Sequence, residues 1–188
     1  MSMKEAFDVY FTKLNIYWQN NYGCFPKIPY NEKYQPMLKK DLFIPGTYQQ
    51  DGYVQWQAKL QTENINFSNI EETLDITINS QIKDYFSTYW FMSLNGSFDK
   101  SFFRLPPVQP GIDIISTVVL YRKKGMVDYF DSGDYFSFGT AQIDGDERCG
   151  IYINNNSGEV ICVQWEYRKS FHLADDLEKF ICSMDIAI

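Results

Sequence analysis

The sequence predicts an α+β fold in which a mostly antiparallel sheet is wrapped by helices. The predicted elements follow in the order helix, strand, helix, several strands, helix, and the late strands succeed one another without a helix between them. Such neighbouring strands pair antiparallel, and the helices pack on the sheet that they form. The 188 residues show no internal repeat, low-complexity tract or linker, which suits one domain of ordinary size. We therefore expect a single domain over residues 1–188.

The N-terminal segment has the apolar spacing of an amphipathic helix over residues 3–20. Five apolar side chains recur on one face at helical intervals: Phe7, Tyr10, Phe11, Leu14 and Trp18. Residues 22–50 contain four prolines and are predicted to be mostly irregular. Residues 53–58 alternate between apolar and polar side chains, which indicates a strand.

The middle of the chain carries a helix-start signal. Ser68 and Glu71 have the spacing of a capping box, in which the serine hydroxyl accepts from the Glu71 amide and the glutamate reaches back. A helical stretch should follow and be interrupted near Asn79, with an inner face made of Ile70, Leu74, Ile78, Ile82 and Phe86. Residues 89–94 are predicted to form a strand, and Asn95-Gly96 a turn.

The second half is predicted to hold most of the sheet. Residues 102–105 and 135–138 indicate strands, and residues 149–154 and 159–165 a hairpin around residues 156–158. Residues 111–124 favour a helix, although their β-branched side chains also allow a strand. A last helix should begin at about Ala174. Its inward face is predicted to consist of Leu173, Leu177, Phe180, Ile181 and Met184.

Composition and charge narrow the classes of partner. The formal net charge is −7, which argues against nucleic acid and anionic lipid and favours a partner with a basic surface. The aromatic fraction of 18% suggests that some aromatic side chains lie at the surface as contact anchors. No apolar run approaches the roughly 18 residues of a membrane span. Four cysteines without a CxxC pair and no recognisable signal peptide predict a cytoplasmic protein with reduced thiols.

No catalytic, metal or cofactor motif is recognisable. The single histidine, His172, has no nucleophile motif near it, and a structural or capping role is the simpler interpretation. Residues 144–147 lack the EF-hand spacing, and no phosphate-binding loop occurs. We therefore expect a protein that is not an enzyme and binds no metal or cofactor. Paired carboxylates close in space would still allow a hydrolase, since their approach is not visible in a sequence.

Acidic residues are concentrated in one part of the chain. Residues 125–160 hold seven acids and one base, Arg148, so this stretch has a net charge of −6 against −7 for the whole chain. Aromatic residues are interleaved with the acids, and such a mixture suits a basic protein partner. A set of solvated loop tips is the alternative. We predict one partner-binding patch formed by Asp128, Tyr129, Asp131, Asp134, Tyr135, Asp144, Asp146 and Glu147.

Several segments resemble a known superfamily. Residues 135–139, 151–153, 156–160 and 171–181 match, in order, the strand, Gly-Glu-Val hairpin and final helix of the SUKH superfamily. Residues 157–160 and 168–174 are similar to the closing segment of its Syd family, and residues 53–56 and 82–88 to that family's first strand and central helix.

The resemblance implies an α+β fold and a non-enzymatic protein-binding function. Many SUKH members are immunity proteins that neutralise toxin domains in the cytosol, while Syd itself is associated with the basic cytosolic loops of the SecY translocon. We therefore expect either a cytoplasmic immunity protein or a peripheral SecY partner at the cytosolic face of the membrane. Neither use involves nucleic acid or insertion into lipid, and fold alone does not choose between them.

Overall fold

The computed structural model describes residues 1–30, 42–47, 52–63, 65–98, 101–128, 134–167 and 169–187. These residues form five helices: α1 (Met3–Tyr22), α2 (Ser68–Leu74), α3 (Ser80–Thr88), α4 (Ile114–Asp128) and α5 (Leu177–Ser183). The first strands are β1 (Lys27–Pro29), β2 (Tyr53–Gln55), β3 (Lys59–Leu60), β4 (Tyr89–Trp90), β5 (Leu94–Phe98) and β6 (Ser101–Leu105). The later strands are β7 (Tyr135–Ile143), β8 (Asp146–Asn154), β9 (Val160–Gln164), β10 (Lys169–Ala174) and β11 (Asp185–Ile186).

One large sheet organises the molecule. Its seven strands lie in the order β10-β9-β8-β7-β6-β5-β11, and every neighbouring pair is antiparallel. Two small antiparallel pairs, β1-β2 and β3-β4, lie outside it. The predicted α+β class with a mostly antiparallel sheet is therefore confirmed. β1 also shows that the proline-rich stretch after α1 is not wholly irregular; residues 31–41 and 48–51 of that stretch lie outside the described residues.

The first helix forms as the apolar spacing predicts. Its N-terminus is fixed by a capping box, in which the Glu5 amide donates to the Ser2 hydroxyl and the Ser2 amide donates to the Glu5 carboxylate. Gly23 ends the helix in the left-handed region, where glycine carries no steric penalty. The buried face of α1 consists of Met3, Ala6, Phe7, Tyr10, Phe11 and Leu14.

The predicted capping box at Ser68 and Glu71 is wrong. Phe67 precedes α2 as its cap residue without a side-chain hydrogen bond, and Ser68 is already helical. The Glu71 carboxylate instead accepts from the Ile78 amide at 2.8 Å and pairs with Lys83 Nζ at 2.6 Å. The predicted interruption near Asn79 is confirmed, because α2 ends at Leu74 and the Asn79 side chain caps α3.

Asn95-Gly96 does not form the predicted turn. Both residues lie inside β5, where Gly96 is opposite Phe103 and Ile186 on the neighbouring strands. A Cβ atom at Gly96 would come within 2.7 Å of the Met184 side chain. The glycine is therefore required by close packing, which the dipeptide pattern does not show.

The last helix begins later than predicted. Residues 169–174 form β10, an exposed edge strand, and α5 starts at Leu177 with Asp176 as its N-cap. The predicted inward positions Leu177, Phe180, Ile181 and Met184 are fully buried, and Leu173 is half-buried. The predicted strand at residues 102–105, the helix over residues 111–124 and the β8-β9 hairpin are all present as β6, α4, β8 and β9.

The two faces of the sheet differ. Ile151 and Ile153 of β8 belong to the main core, which also contains the buried helix faces. Tyr152 lies between them and therefore points to the opposite face, where it forms a second cluster with Ile161 and Val163. We call this side the outer face. There the Trp165 indole donates to the Tyr152 hydroxyl at 2.8 Å.

Candidate protein-binding surfaces

The predicted acidic patch falls into two groups. Asp128 is the last residue of α4, the half-buried Asp134 precedes β7, and the half-buried Tyr135 is the first residue of that strand. Exposed Asp144 lies in the turn after β7, and Asp146 and Glu147 are the first residues of β8, with only their backbone described. Tyr129 and Asp131 lie outside the described residues.

The length of β7 separates these two groups. The strand has nine residues, and at a rise of about 3.3 Å per residue its ends lie roughly 26 Å apart. Ile143 is opposite Asp146, so Asp144, Asp146 and Glu147 share one end of the strand. We call these three the β7-β8 turn group, and Asp128, Asp134 and Tyr135 the α4-β7 group. Asp134 and the β7-β8 turn group thus stand at opposite ends of one strand.

Asp134 also compensates a buried charge. Arg122 of α4 is only 8% exposed, and its guanidinium lies 5.4 Å from the centre of the Phe136 ring and donates to the Tyr135 carbonyl at 3.4 Å. Burial lowers the pKa of Arg122, while the nearby Asp134 carboxylate opposes that shift. Asp134 is therefore partly engaged within the protein and is the less available member of its group.

Another acid of the predicted stretch, Glu159, is paired within the protein. Glu159 Oε1 lies 2.8 Å from His172 Nδ1, and the other ring nitrogen lies 3.3 Å from Asp175. His172 is exposed on β10 and does not cap α5, since Asp176 does so. The capping role considered for His172 is wrong; the ring instead joins the β8-β9 hairpin to the segment before α5.

Exposed aromatic side chains gather near the β9-β10 hairpin. Trp165, Tyr167 and Phe171 are 39%, 59% and 39% exposed. They lie at the edge of the large sheet, because β10 is its outermost strand. Aromatic side chains at an accessible edge suit protein contacts.

Two neighbouring hollows lie beside β5 and β6 of the large sheet. One hollow of about 250 Å³ lies between α1, β1 and β5 and is bordered by Tyr10, Trp18, Pro26, Pro29, Trp56 and Asn95. A second hollow of about 270 Å³ is bordered by Pro106, Pro107, Tyr121, Ser137, Gly139 and Thr140. Ser93 and Arg104 line both hollows. The two hollows therefore lie on either side of these residues, and we call the two together the Arg104 groove.

The described lining of this groove differs in charge from the acidic chain as a whole. Among the described lining residues there is no carboxylate, whereas Arg104 and Lys27 are present. Arg104 is exposed, and no carboxylate of the described residues lies within salt-bridge distance of it. Its guanidinium makes only a long contact of 3.5 Å with the Ser93 hydroxyl. Arg104 could not be singled out from the sequence alone, since it is one base in a short predicted strand.

The described residues offer little for catalysis. No group of three or more His, Cys, Asp or Glu side chains that could hold a metal ion occurs among them. All four cysteines are described and unbridged, and Cys149 and Cys162 are fully buried. Burial raises the pKa of Cys162 to about 12, so this thiol stays protonated and is a poor nucleophile.

No described helix combines the length and the apolar character that a membrane crossing requires.

Comparison with known proteins places this fold in a family. A family model described as Syd protein (SUKH-2) matches residues 4–111, which is more than half of the chain. A search of curated proteins gives no match. The matched range contains residues 53–56 and 82–88, two of the segments in which the sequence resembles the Syd family. It also contains every described residue that lines the hollow between α1, β1 and β5, except Ala187. The C-terminal segments of the resemblance lie outside the matched range. The chain therefore belongs to the Syd (SUKH-2) family, which supports a protein-binding, non-enzymatic role.

Proposed function

We propose that this chain is a cytoplasmic immunity protein that binds and neutralises a toxin domain with a basic surface. Family membership supports protein binding, and the net charge of −7 favours a cationic partner. The proposed contact residues are the α4-β7 group, with Tyr129 and Asp131, and the β7-β8 turn group. These are the residues that the sequence predicts for the contact, now divided between the two ends of β7.

The observation that carries the proposal is the spacing of the two groups along β7. A standard interface covers about 800 Å² on each partner, which is roughly 30 Å across. The nine residues of β7 separate the groups by about 26 Å. One partner of ordinary size is therefore large enough to contact both ends of the strand.

Exposed acids of this kind mainly affect the rate at which the two proteins associate. They attract a cationic partner during diffusion, which raises the association rate, and salt screens that attraction. Asp144 is the clearest case, because it is exposed and lies in a turn. Asp134 should contribute less to association, since Arg122 already attracts it within the protein.

Co-expression tests the neutralising role. The gene product encoded beside this chain is expressed in a bacterial host with and without the chain, and growth is followed. The proposal predicts that the neighbour inhibits growth and that the chain restores it, with the two proteins recovered as a complex. A harmless neighbour, or toxicity that the chain leaves unchanged, contradicts the proposal.

The second candidate function is binding of the cytosolic loops of SecY. The match to the Syd family model favours it. It predicts that the amount of this chain recovered with membranes rises when SecY is overproduced. Equal recovery with and without additional SecY contradicts this candidate and leaves the immunity role as the better one.

A further inference from the structure

We propose that the Arg104 groove binds an extended, carboxylate-bearing segment of the partner protein, with Arg104 holding an aspartate or glutamate side chain. The inference deepens the proposed function and rests on it, because it assigns the groove to the same partner. In this contact the chain supplies a positive charge, whereas the acidic groups at the ends of β7 supply negative charges.

The first argument is charge complementarity. Arg104 is an exposed guanidinium in an acidic chain, yet no described carboxylate lies within salt-bridge distance of it. Arginine binds carboxylates through two parallel hydrogen bonds, which makes it selective for that group. The described lining of both hollows contains no carboxylate, so none of these residues competes for the guanidinium.

The second argument is the shape and polarity of the groove. Proline and aromatic side chains line both hollows, Ser93 lines both as well, and Ser137 and Thr140 line the second. Such a lining supplies apolar contact surface together with neutral groups that can form hydrogen bonds with the main chain of a bound segment. Each hollow alone is slightly smaller than the lower limit of about 300 Å³ for an ordinary ligand site, and Ser93 and Arg104 border both.

The third argument is an unpaired strand edge. β6 pairs with β7 only from Phe102 opposite Gln142 to Arg104 opposite Thr140. Gly139 still lies against Arg104 and Leu105 of β6, but no strand of the described residues pairs with Ser137 and Phe138 on that side of β7. This edge lies in the second hollow. An extended segment can add to such an edge through main-chain hydrogen bonds, while side-chain pockets give selectivity.

Selection from a display library of random ten-residue peptides tests the inference. The wild-type chain and Lys123→Gln should select peptides enriched in aspartate and glutamate, since Lys123 is an exposed cation of α4 outside the lining of the groove. Arg104→Gln should lose the enrichment, and Arg104→Glu should shift it toward lysine and arginine. For one selected acidic peptide, Arg104→Gln should weaken binding about tenfold.

Two further measurements keep the test decisive. Thermal unfolding verifies that the Arg104 variants fold. The second measurement uses Thr140→Trp, at an exposed position, which blocks the groove and leaves Arg104 intact. This variant should also select no acidic peptides. The inference is overturned if no peptides are selected, if they show no acidic enrichment, or if Arg104→Gln retains it. Co-expression tests the proposed function separately. If the chain restores growth but selects no acidic peptides, the groove assignment is wrong while the immunity role stands.

Discussion

The Tyr10 hydroxyl both donates to the Asn95 carbonyl and accepts from the Asn95 amide, at 2.9 Å in each case. This pair fixes α1 against β5, and both residues border the Arg104 groove. Tyr10 is only 1% exposed, and burial raises the pKa of its hydroxyl. The neutral hydroxyl is therefore the form present at every physiological pH.

Tyr10→Phe should destabilise the fold by about 1–3 kcal/mol, because it leaves two main-chain groups of Asn95 without their partner. Chemical denaturation measures the change. Tyr17→Phe is the matched control, since the described residues contain no hydrogen bond to the Tyr17 hydroxyl and its ring is half-buried. Equal stabilities of the two variants would mean that the Tyr10-Asn95 pair contributes nothing.

Gly158 and Gly145 have the same backbone angle and different surroundings. Both have φ of 82°, but a Cβ at Gly158 would collide with the Gln81 side-chain amide, whereas a Cβ at Gly145 meets nothing within 4 Å. Gln81 also accepts from the Leu177 amide at the start of α5. Gly145→Ala should cost about 1 kcal/mol for the left-handed conformation alone.

Gly158→Ala should cost about 1 kcal/mol more than Gly145→Ala, because the Gln81 side chain must move aside and lose its hydrogen bond from the Leu177 amide. The free energies of unfolding of the two variants give this difference directly. If both variants lose the same stability, the contact between the β8-β9 hairpin and Gln81 is looser than the structure shows.

Much of the fold follows from local sequence pattern. The helical spacing of α1 and the inward positions of α5 reflect residues that must be buried together, so periodicity predicts them. β10 was missed because Lys169 to His172 are all exposed and carry no apolar alternation. Asn95-Gly96 was misassigned because the need for glycine comes from Met184, which is distant in sequence.

The candidate surfaces were less predictable. The acids of residues 125–160 are visible in the sequence, but their division follows from the position and length of β7. The pairing of Glu159 with His172 and the electrostatic attraction between Asp134 and Arg122 also depend on how separate elements pack together. Arg104 becomes a candidate only when the structure shows which carboxylates are absent around it.

Glu71 predicts an acid-dependent loss of stability. Its hydrogen bonds with Lys83 and the Ile78 amide lower the pKa of its carboxyl below the ordinary 4.5. A lowered carboxyl pKa stabilises the fold above the unfolded value, and that contribution disappears as pH falls through the folded value. Glu71→Gln should therefore flatten the stability profile below about pH 4.5.

Urea denaturation across this pH range tests the prediction. Glu72→Gln removes the same charge from the neighbouring position, where the carboxylate is exposed and has no salt-bridge partner among the described residues. Its profile should follow that of the wild type. A Glu71→Gln profile as steep as the wild-type one would exclude the Lys83 pairing as a source of acid sensitivity.

The thiols should divide into two reactivity classes. Cys24 and Cys182 are partly exposed, while Cys149 and Cys162 are buried and the pKa of Cys162 is raised to about 12. An aromatic disulfide reagent should therefore modify two thiols of the native chain rapidly and all four after denaturation. A variant with Cys24→Ser and Cys182→Ser should show almost no native reaction; rapid modification would mean that the β8-β9 region opens readily.

The association rate with the neutralised toxin domain tests docking across β7 most directly. Asp144→Asn and Asp75→Asn each remove one exposed charge at a left-handed position, but only Asp144 belongs to the proposed contact. Stopped-flow mixing at low salt should show a rate roughly threefold lower for Asp144→Asn than for Asp75→Asn, and added salt should remove the difference. Equal rates at low salt would contradict binding at the β7-β8 turn.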